Sequence, residues 1–207
     1  MDIPGQVGYG DSAMNKEEAL KKLREAIVKG EVDEDIIPLL EKINSMENYY
    51  TTSSCSGRIV VMEIEEIGDK KSAKFLGKWH KIVEKKEVIE AIGRWSGDGY
   101  LFLIMQSPII HVRCSDEKSA FFLIQVANEC GFKYSSLKSK YVVEILSTEQ
   151  MHVPLGKNSE LWVNENYIEK CVEIANKLLK RAKSKLKKLE EEITKIVSSS
   201  YKPSSTL

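Results

Sequence analysis

The segment YYTTSSCSGRI, residues 49–59, places several hydroxyl side chains beside a single guanidinium. Backbone N–H groups and hydroxyls around a glycine can form a concave nest for an anion, and an arginine fork pairs with a carboxylate or a phosphate. A self-capping serine turn ahead of a strand would use the same residue types. The sequence therefore predicts either an anion-binding loop or a structural turn. The residues concerned are Ser53, Ser54, Cys55, Ser56, Gly57 and Arg58.

The cysteines and the form of this segment exclude several other sites. The GKS/T ending of a P-loop is absent, and no helix pattern follows the segment. Cys55 could act as a nucleophile, although no partner base lies near it in the sequence. Cys114, Cys130 and Cys171 fall in apolar patterns that predict core positions. Because no CxxC pair occurs, we expect neither a zinc ribbon nor a disulfide framework, and the cysteines favour a reducing, cytoplasmic compartment.

Residues 77–80, GKWH, bring a cation, an indole and an imidazole together outside any periodic pattern. Trp79 could stack on a base and Lys78 could meet a phosphate. Alternatively, Trp79 closes the edge of a core and His80 is solvated. His111 lies in the apolar strand pattern PIIHVRC, where a lone histidine is more often structural but suits proton transfer if it faces a cleft. The three histidines are too dispersed for a metal-ligand spacing, so we predict no metal site.

A long amphipathic helix is predicted over residues 165–197. Its apolar residues form one stripe, which permits pairing with a second copy and leaves the oligomeric state open. Seven cations and no acid lie between residues 177 and 188, beginning with Lys177, Lys180 and Arg181. Such a face is usually just solvated, but it would also suit the phosphates of a nucleic acid. Because the formal net charge is +0, any such attraction must come from local clusters.

The elements that must position these residues predict an α+β fold. Helix patterns cover KEEALKKLREAIVKG, capped by Asn15 and ended by Gly30, then VDEDIIPLLEKINSM, VEKKEVIEAIGRW and SDEKSAFFLIQVANECG, ended by Gly131. The strand RIVVMEIEEI precedes two expected hairpins: YLFLIMQS with PIIHVRC, turning at Pro108, and FKYSSLKS with KYVVEILS. Residues 68–79 are expected to be a loop. Repeated helix–strand–strand units predict a mixed, largely antiparallel sheet with a long C-terminal helix.

Composition and length predict one globular domain. The 207 residues are 42% hydrophobic and 30% charged, which is ordinary for a chain with a sizeable core. We expect a flexible lead over residues 1–14, a single catalytic domain over residues 15–197 and a disordered tail over residues 198–207. No apolar run approaches the roughly 20 residues of a membrane span, and the start has no signal-peptide pattern, so we expect no membrane partner.

Three blocks of this sequence, in this order and spacing, resemble the tRNA wybutosine-synthesizing protein 3 family. They are VDEDIIPLLEKINSMENYYTTSSCSGRI, GKWH and SPIIHV, and the resemblance covers nearly the whole chain from about Asn15. It implies an archaeal methyltransferase that uses S-adenosylmethionine to methylate N4 of the wyosine-type base beside the anticodon of tRNA(Phe). It also implies a fold unlike the Rossmann methyltransferases, and the sequence contains no GxGxG loop between a strand and a helix.

The resemblance also implies roles for the candidate residues. Residues 53–58 would bind the methyl donor. The identity of this donor as S-adenosylmethionine is inferred from the resemblance alone. Arg58 and the neighbouring amides could receive the donor's methionine carboxylate, the amino-carboxypropyl carboxylate that some precursors carry, or a tRNA phosphate. A carboxylate is favoured over a phosphate, because one arginine fork matches a bidentate partner. Methyl transfer to a ring nitrogen needs mainly positioning, together with a group that accepts the proton. His111, or else His80, would be that acceptor.

For the tRNA, the resemblance implies an aromatic surface under the tricyclic base and cations on the phosphates. The substrate-binding candidates are Tyr50, Lys78, Trp79, Lys177, Lys180 and Arg181. Two other functions stay open. A non-catalytic RNA-binding module would hold tRNA whether or not the donor is present. A small-molecule anion-binding enzyme would not need the cations of the long helix.

Overall fold

The computed structural model describes residues 7–8, 15–69 and 71–200. The helices are α1 (Lys16–Val28), α2 (Ile37–Ser45), α3 (Lys85–Ile92), α4 (Glu117–Glu129) and α5 (Glu165–Ser200), with a 3₁₀ turn at Glu34–Ile36. The strands are β1 (Val7–Gly8), β2 (Tyr49–Cys55), β3 (Arg58–Ile64), β4 (Lys74–Trp79), β5 (Tyr100–Gln106), β6 (Ile109–Cys114), β7 (Ser136–Ser139), β8 (Val142–Leu146), β9 (Met151–Lys157) and β10 (Glu160–Leu161). These elements fall into two compact units.

The first unit consists of the described residues within Met1–Ser56, Pro108–Thr148 and Ser184–Leu207. Its sheet has the strand order β1-β2-β6-β8-β7, and every pair is antiparallel. Ile110 and Val112 of β6 belong to a core that also contains residues of α2, α4 and the last part of α5. Because side chains alternate along a strand, His111 lies on the opposite face of this sheet.

The second unit consists of the described residues within Gly57–Ser107 and Glu149–Lys183. Its sheet has the order β10-β9-β5-β3-β4, again with antiparallel pairs throughout. Ile59 and Leu103 of this sheet pack with residues of α3 and with Ala175 of α5 in a separate core. Within the described ranges, no helix combines the length and the apolarity that crossing a membrane requires.

The predicted fold class, α+β with antiparallel pairing and a long C-terminal helix, is confirmed, although the strands are divided between two sheets. The predicted helix ends are also confirmed. The N–H of Glu18 donates to the side-chain oxygen of Asn15 at 2.9 Å and caps α1. Gly30 and Gly131 have φ values of 68° and 98° and follow the C-cap residues of α1 and α4, where a left-handed residue ends a helix.

The predicted N-terminal lead and C-terminal tail lie only partly within the described residues. Of the predicted lead, residues 7–8 are described and form β1, and the others lie outside the described residues. Helix α5 continues to Ser200, and residues 201–207 of the predicted tail lie outside the described residues. The single domain over residues 15–197 stays a prediction.

The predicted hairpin at Pro108 is wrong. Strand β5 pairs with β3 and β9, whereas β6 pairs with β2 and β8 in the other sheet. A two-residue hairpin needs positive φ in its turn, and proline fixes φ near −65°. Ser107 and Pro108 therefore do not form the turn of a two-residue hairpin. The second predicted hairpin is confirmed, since β7 and β8 pair with each other.

The predicted loop over residues 68–79 is wrong in its second half, which forms β4. Among the residues that the structure describes, this strand pairs only with β3 and lies at the edge of its sheet. Edge strands often carry charged residues such as lysine, which discourage pairing with a further strand. Lys74 and Lys78 are the charged residues of β4. These charges obscure the alternation from which a strand is predicted.

Candidate active site

Polar side chains gather on the face of the first sheet that lies opposite its apolar core. Tyr50 of β2 pairs with Arg113 of β6, and Ser53 pairs with His111. Direct cross-strand partners project from the same face of a sheet. The structure thus brings together three of the predicted residues, Tyr50, Ser53 and His111, although they are far apart in sequence.

His111 is the centre of a hydrogen-bonded network that crosses four neighbouring strands. Its Nδ1 lies 2.8 Å from Oγ of Ser53 on β2, and its Nε2 lies 3.0 Å from Oε2 of Glu144 on β8. The other carboxylate oxygen of Glu144 pairs with Nζ of Lys138 on β7 at 2.8 Å. The side chains of His111 and Glu144 are 19% and 6% exposed, so most of this network is shielded from water.

The charge of Glu144 determines which nitrogen of His111 carries the proton. Burial by itself would raise the pKa of Glu144, but hydrogen bonds from Lys138 and His111 outweigh it and hold this pKa below its ordinary value. An ionised carboxylate only accepts hydrogen bonds, so Nε2–H of His111 donates to it. Nδ1 then accepts a hydrogen bond that the hydroxyl of Ser53 donates. This arrangement can accept a proton at Ser53 and retain it on a histidine paired with a carboxylate.

The first part of the serine-rich segment forms strand β2, so a loop or turn of either predicted kind is confined to the residues that follow Cys55. Strand β2 lies between β1 and β6, with Ser53 and Ser54 paired on both sides. Only Ser56 and Gly57, with φ of 89° at Gly57, connect it to β3. The N–H of Ser56 donates to a carboxylate oxygen of Asp33 at 2.7 Å. One amide of the predicted anion nest therefore binds a carboxylate of the chain itself.

The predicted donor-binding residues differ in their surroundings. Cys55 is buried at the end of β2, in the first unit. Arg58 begins β3 in the second unit and is 0% exposed. Its Nε donates to Oε1 of Gln106 on β5 at 2.6 Å, and its guanidinium carbon lies 5.2 Å from the centre of the Phe75 ring. These two contacts fix the plane of the guanidinium, which is the feature that makes arginine selective for bidentate partners.

Lys78 and Trp79 lie on β4, and His80 follows directly. The Trp79 side chain is half-buried and packs against the core of the second unit. Its indole also covers Gly77, because a Cβ at that position would lie 2.2 Å from the ring. Lys78 is exposed and projects from the other face of the strand. Trp79 therefore makes the core contact of the structural alternative, and its stacking on a base stays a prediction.

The cations at the start of the basic stretch of α5 lie on its exposed side. Lys177, Lys180 and Arg181 are all exposed. Arg181 is also ion-paired, since its Nε lies 3.0 Å from a carboxylate oxygen of the buried Glu149. The predicted apolar stripe of α5 is buried in the cores of the two units. The ion pair between Arg181 and Glu149 therefore neutralises part of the positive charge of α5.

A comparison with protein families identifies the chain. The model of the family described as Methyltransferase TYW3 matches residues 14–195. The chain belongs to this family. The TYW3 methyltransferase family is the one that the three sequence blocks resemble, so the predicted family and enzyme class are confirmed.

Relatives within the TYW3 family carry a specific activity in their names. The chain is 54% identical over 185 residues to tRNA(Phe) 7-((3-amino-3-carboxypropyl)-4-demethylwyosine(37)-N(4))-methyltransferase 1 of Thermococcus kodakarensis, covering 87% of this chain and 93% of the relative. It is 56% identical over 182 residues to the protein of the same name from Pyrococcus horikoshii, covering 86% and 92%.

Solved structures share the fold. The chain matches the PH1069 protein of Pyrococcus horikoshii with a TM-score of 0.83 and 55% identity, over 86% of this chain and 93% of that one. A hypothetical protein from Aeropyrum pernix matches with a TM-score of 0.70 and 29% identity, over 80% and 99%. The TYW3 fold seen here is thus shared with experimentally determined relatives.

Two residues of the His111 network escaped the sequence prediction, Glu144 and Lys138. A signal for Glu144 existed, because it interrupts the apolar pattern KYVVEILS in the way that His111 interrupts PIIHVRC. Each is a polar residue on an otherwise apolar strand, which indicates a buried polar contact on that strand's second face. Lys138 gave no such signal, since it lies in the polar segment before the turn.

Proposed function

We propose that this chain is a tRNA methyltransferase that acts on N4 of 7-(3-amino-3-carboxypropyl)-4-demethylwyosine at position 37 of tRNA(Phe). The names of relatives that are 54% and 56% identical over most of the chain support this substrate. The hydrogen-bonded network around His111 is the observation that carries the chemistry. We further propose S-adenosylmethionine as the methyl donor and the cytoplasm as the compartment, which suits four cysteines that are all buried thiols.

Methylation at N4 replaces a proton by a methyl group, so the protein must accept one proton in each turnover. Oγ of Ser53 accepts the proton from N4 while its own hydroxyl proton passes to Nδ1 of His111. The resulting imidazolium is stabilised by the carboxylate of Glu144, which Lys138 keeps ionised. His111 is therefore the proposed proton acceptor, in preference to His80, which follows the edge strand β4.

S-adenosylmethionine supplies an electrophilic methyl group when it is bound. The donor set of residues 53–58 fits its methionine carboxylate, because Arg58 offers a guanidinium whose plane is fixed by Gln106 and Phe75. The proposed set also includes the four residues that directly precede Arg58 in sequence, which are Ser54, Cys55, Ser56 and Gly57. Since Arg58 is completely buried, binding requires the side chains around it to move. We assign no role to a metal ion.

For the tRNA, we propose that Tyr50 stacks on the tricyclic base, because it shares a sheet face with Ser53 and His111. Trp79 of the second unit is proposed to stack on another base of the tRNA. Contacts with the phosphates are proposed for the exposed cations, and these contacts would position the tRNA without reading its sequence. The cations are Lys78, Lys177, Lys180 and Arg181.

Transfer of a labelled methyl group tests this proposal. The purified chain is incubated with labelled S-adenosylmethionine and tRNA(Phe) that carries the demethylated base, and the tRNA is digested to nucleosides. We expect label on the wyosine-type nucleoside, and none when the same tRNA is already methylated at N4. Donor-independent tRNA binding without any transfer would reject the proposal in favour of a non-catalytic RNA-binding module.

Replacing Lys138 by Met is expected to move the acid limb of the pH–kcat profile to higher pH. Without Lys138, the burial of Glu144 is opposed only by His111, so the pKa of Glu144 rises. In the wild type this pKa is lower in the folded than in the unfolded state. Ionised Glu144 therefore stabilises the fold above its unfolded pKa of about 4.3, and this contribution is lost as the pH falls through the folded pKa.

The check is kcat, together with Tm, measured across the acid range for Lys138→Met and for Lys133→Met. Lys133 is an exposed lysine between α4 and β7 and serves as the matched control. We expect the control to follow the wild-type profile in both measurements. If the acid limb is the same in all three proteins, Lys138 does not set the ionisation of Glu144.

Replacing Gly77 by Ala is expected to weaken tRNA binding about tenfold, as the loss of one stacking contact would. The new methyl group would lie 2.2 Å from the Trp79 indole, so the ring must leave its position while the backbone of β4 is kept. The matched control is Gly93→Ala at the end of α3, where the nearest atom lies at 3.5 Å. Equal tRNA affinity of the two variants, measured by equilibrium titration, would contradict a role of Trp79 in binding.

A further inference from the structure

A cavity of about 410 Å³ lies in the first unit beside Tyr50. Charged and aromatic side chains from four segments of the chain line it: Lys16, Glu47, Tyr50, Arg113, Lys140 and Tyr141. Three of these side chains are cationic and one is a carboxylate. The cavity thus combines an excess of positive charge with a single acceptor for a cation.

The cations of this cavity have different roles. The ammonium of Lys16 donates to the carbonyl of Met46 at 2.5 Å, which fixes the turn that carries Glu47. Lys140 lies 5.5 Å from the centre of the Tyr141 ring. Among residues 15–69 and 71–199, no carboxylate forms an ion pair with Arg113. Among the cations of this cavity, Arg113 is therefore the one that can meet a ligand carboxylate at two points.

The position of Arg113 relates this cavity to the proton acceptor. Arg113 follows His111 by two residues on β6, so the two side chains project from the same face about 7 Å apart. Tyr50, the cross-strand partner of Arg113, closes the same surface. A short linker would therefore be enough to join a group bound by Arg113 to a base stacked on Tyr50.

We infer that this cavity binds a 3-amino-3-carboxypropyl group, with Arg113 on its carboxylate and Glu47 on its ammonium. The inference rests on the proposed function, in which two molecules carry such a group. One is the acceptor base, whose side chain is named in the activity of the relatives, and the other is S-adenosylmethionine, whose methionine portion has the same chemistry. The nearness of the cavity to His111 favours the acceptor base.

Equilibrium titration of Arg113→Gln with three probes tests the inference. The probes are tRNA(Phe) with the complete side chain on the demethylated base, tRNA(Phe) with 4-demethylwyosine, which lacks that chain, and S-adenosylmethionine. We expect Kd for the first tRNA to rise about tenfold to a hundredfold, the range of one charged hydrogen-bonded pair, with little change for the second. Glu47→Gln should weaken the same probe to a smaller extent.

Arg24→Gln, an exposed arginine on α1, is the matched control and should bind all three probes as the wild type does. A rise in Kd for S-adenosylmethionine, with equal affinity for the two tRNAs, would support the same chemistry with the donor as its source. Unchanged Kd values for all three probes in Arg113→Gln would overturn the inference. Because these are binding constants, they decide the matter even if the wild type transfers no methyl group, a result that would reject only the proposed function.

Discussion

A His111→Ala variant is expected to lose about 10²- to 10⁴-fold in kcat for methyl transfer, the usual contribution of a positioned acid–base group. The imidazole is the only member of its network that can take up the proton from Ser53 and remain next to a carboxylate. Affinity for tRNA should stay near the wild-type value, because Tyr50 and the cations of α5 are untouched. Initial rates at saturating substrate, together with tRNA titrations, separate these two quantities.

His152→Ala provides the matched control for this experiment. His152 is an exposed histidine on β9 in the second unit, so its removal should leave kcat unchanged. His111→Asn adds a further comparison, because an amide can keep a hydrogen bond with Ser53 but cannot hold a proton at neutral pH. Wild-type kcat in both His111 variants would show that the network stabilises the sheet and takes no part in the reaction.

An Arg58→Lys variant is expected to weaken binding of S-adenosylmethionine about tenfold to a hundredfold. Lysine keeps the charge but loses the planar fork that matches a carboxylate at two points. The substitution also removes the hydrogen bond to Gln106, so some loss of thermal stability should accompany it. Isothermal titration with the donor and thermal unfolding of the same samples measure the two effects separately.

Arg94→Lys is the appropriate control for Arg58→Lys. Arg94 also belongs to the second unit and donates one hydrogen bond, from Nη1 to the carbonyl of Leu76 at 2.7 Å. It undergoes the same chemical change at a site with no proposed ligand. A lower Tm with an unchanged donor Kd in Arg58→Lys would make Arg58 a structural residue and would remove it from the donor site.

Local signals in the sequence were sufficient to predict most elements of this fold. Asn15 before α1 and Gly131 after α4 act within a few residues of the helix ends that they define, so their effect can be read without knowledge of the tertiary structure. The division of strands between two sheets could not be predicted in this way. It depends on whether residues such as Ser107 and Pro108 reverse the chain, and a short connection is compatible with either outcome until the partner strands are known.

The candidate site shows the same limit. The chemistry of their side chains makes His111 and Ser53 candidates from the sequence, and the structure places them 2.8 Å apart. The sequence does not predict the role of Glu144, because its contact with His111 depends on the register of two strands that are separated by α4 in sequence. The proposed roles of Trp79 and of the cations of α5 remain predictions from the sequence. Trp79 also packs against the core of the second unit, and Arg181 is also ion-paired with Glu149, so both have structural contacts that would explain their presence.

The network around His111 draws each of its four side chains from a different strand of a single sheet, and this has a consequence for how the gene can vary. A codon lost or gained within β6 would slide the strand by one position and send His111 to the face that now carries Ile110 and Val112. A substitution in one of these strands changes one side chain and keeps the register of the others. A small insertion or deletion there would change the register and separate the side chains of the His111 network in a single step. Length variation among descendants of this chain should therefore collect in connections such as that between β3 and β4.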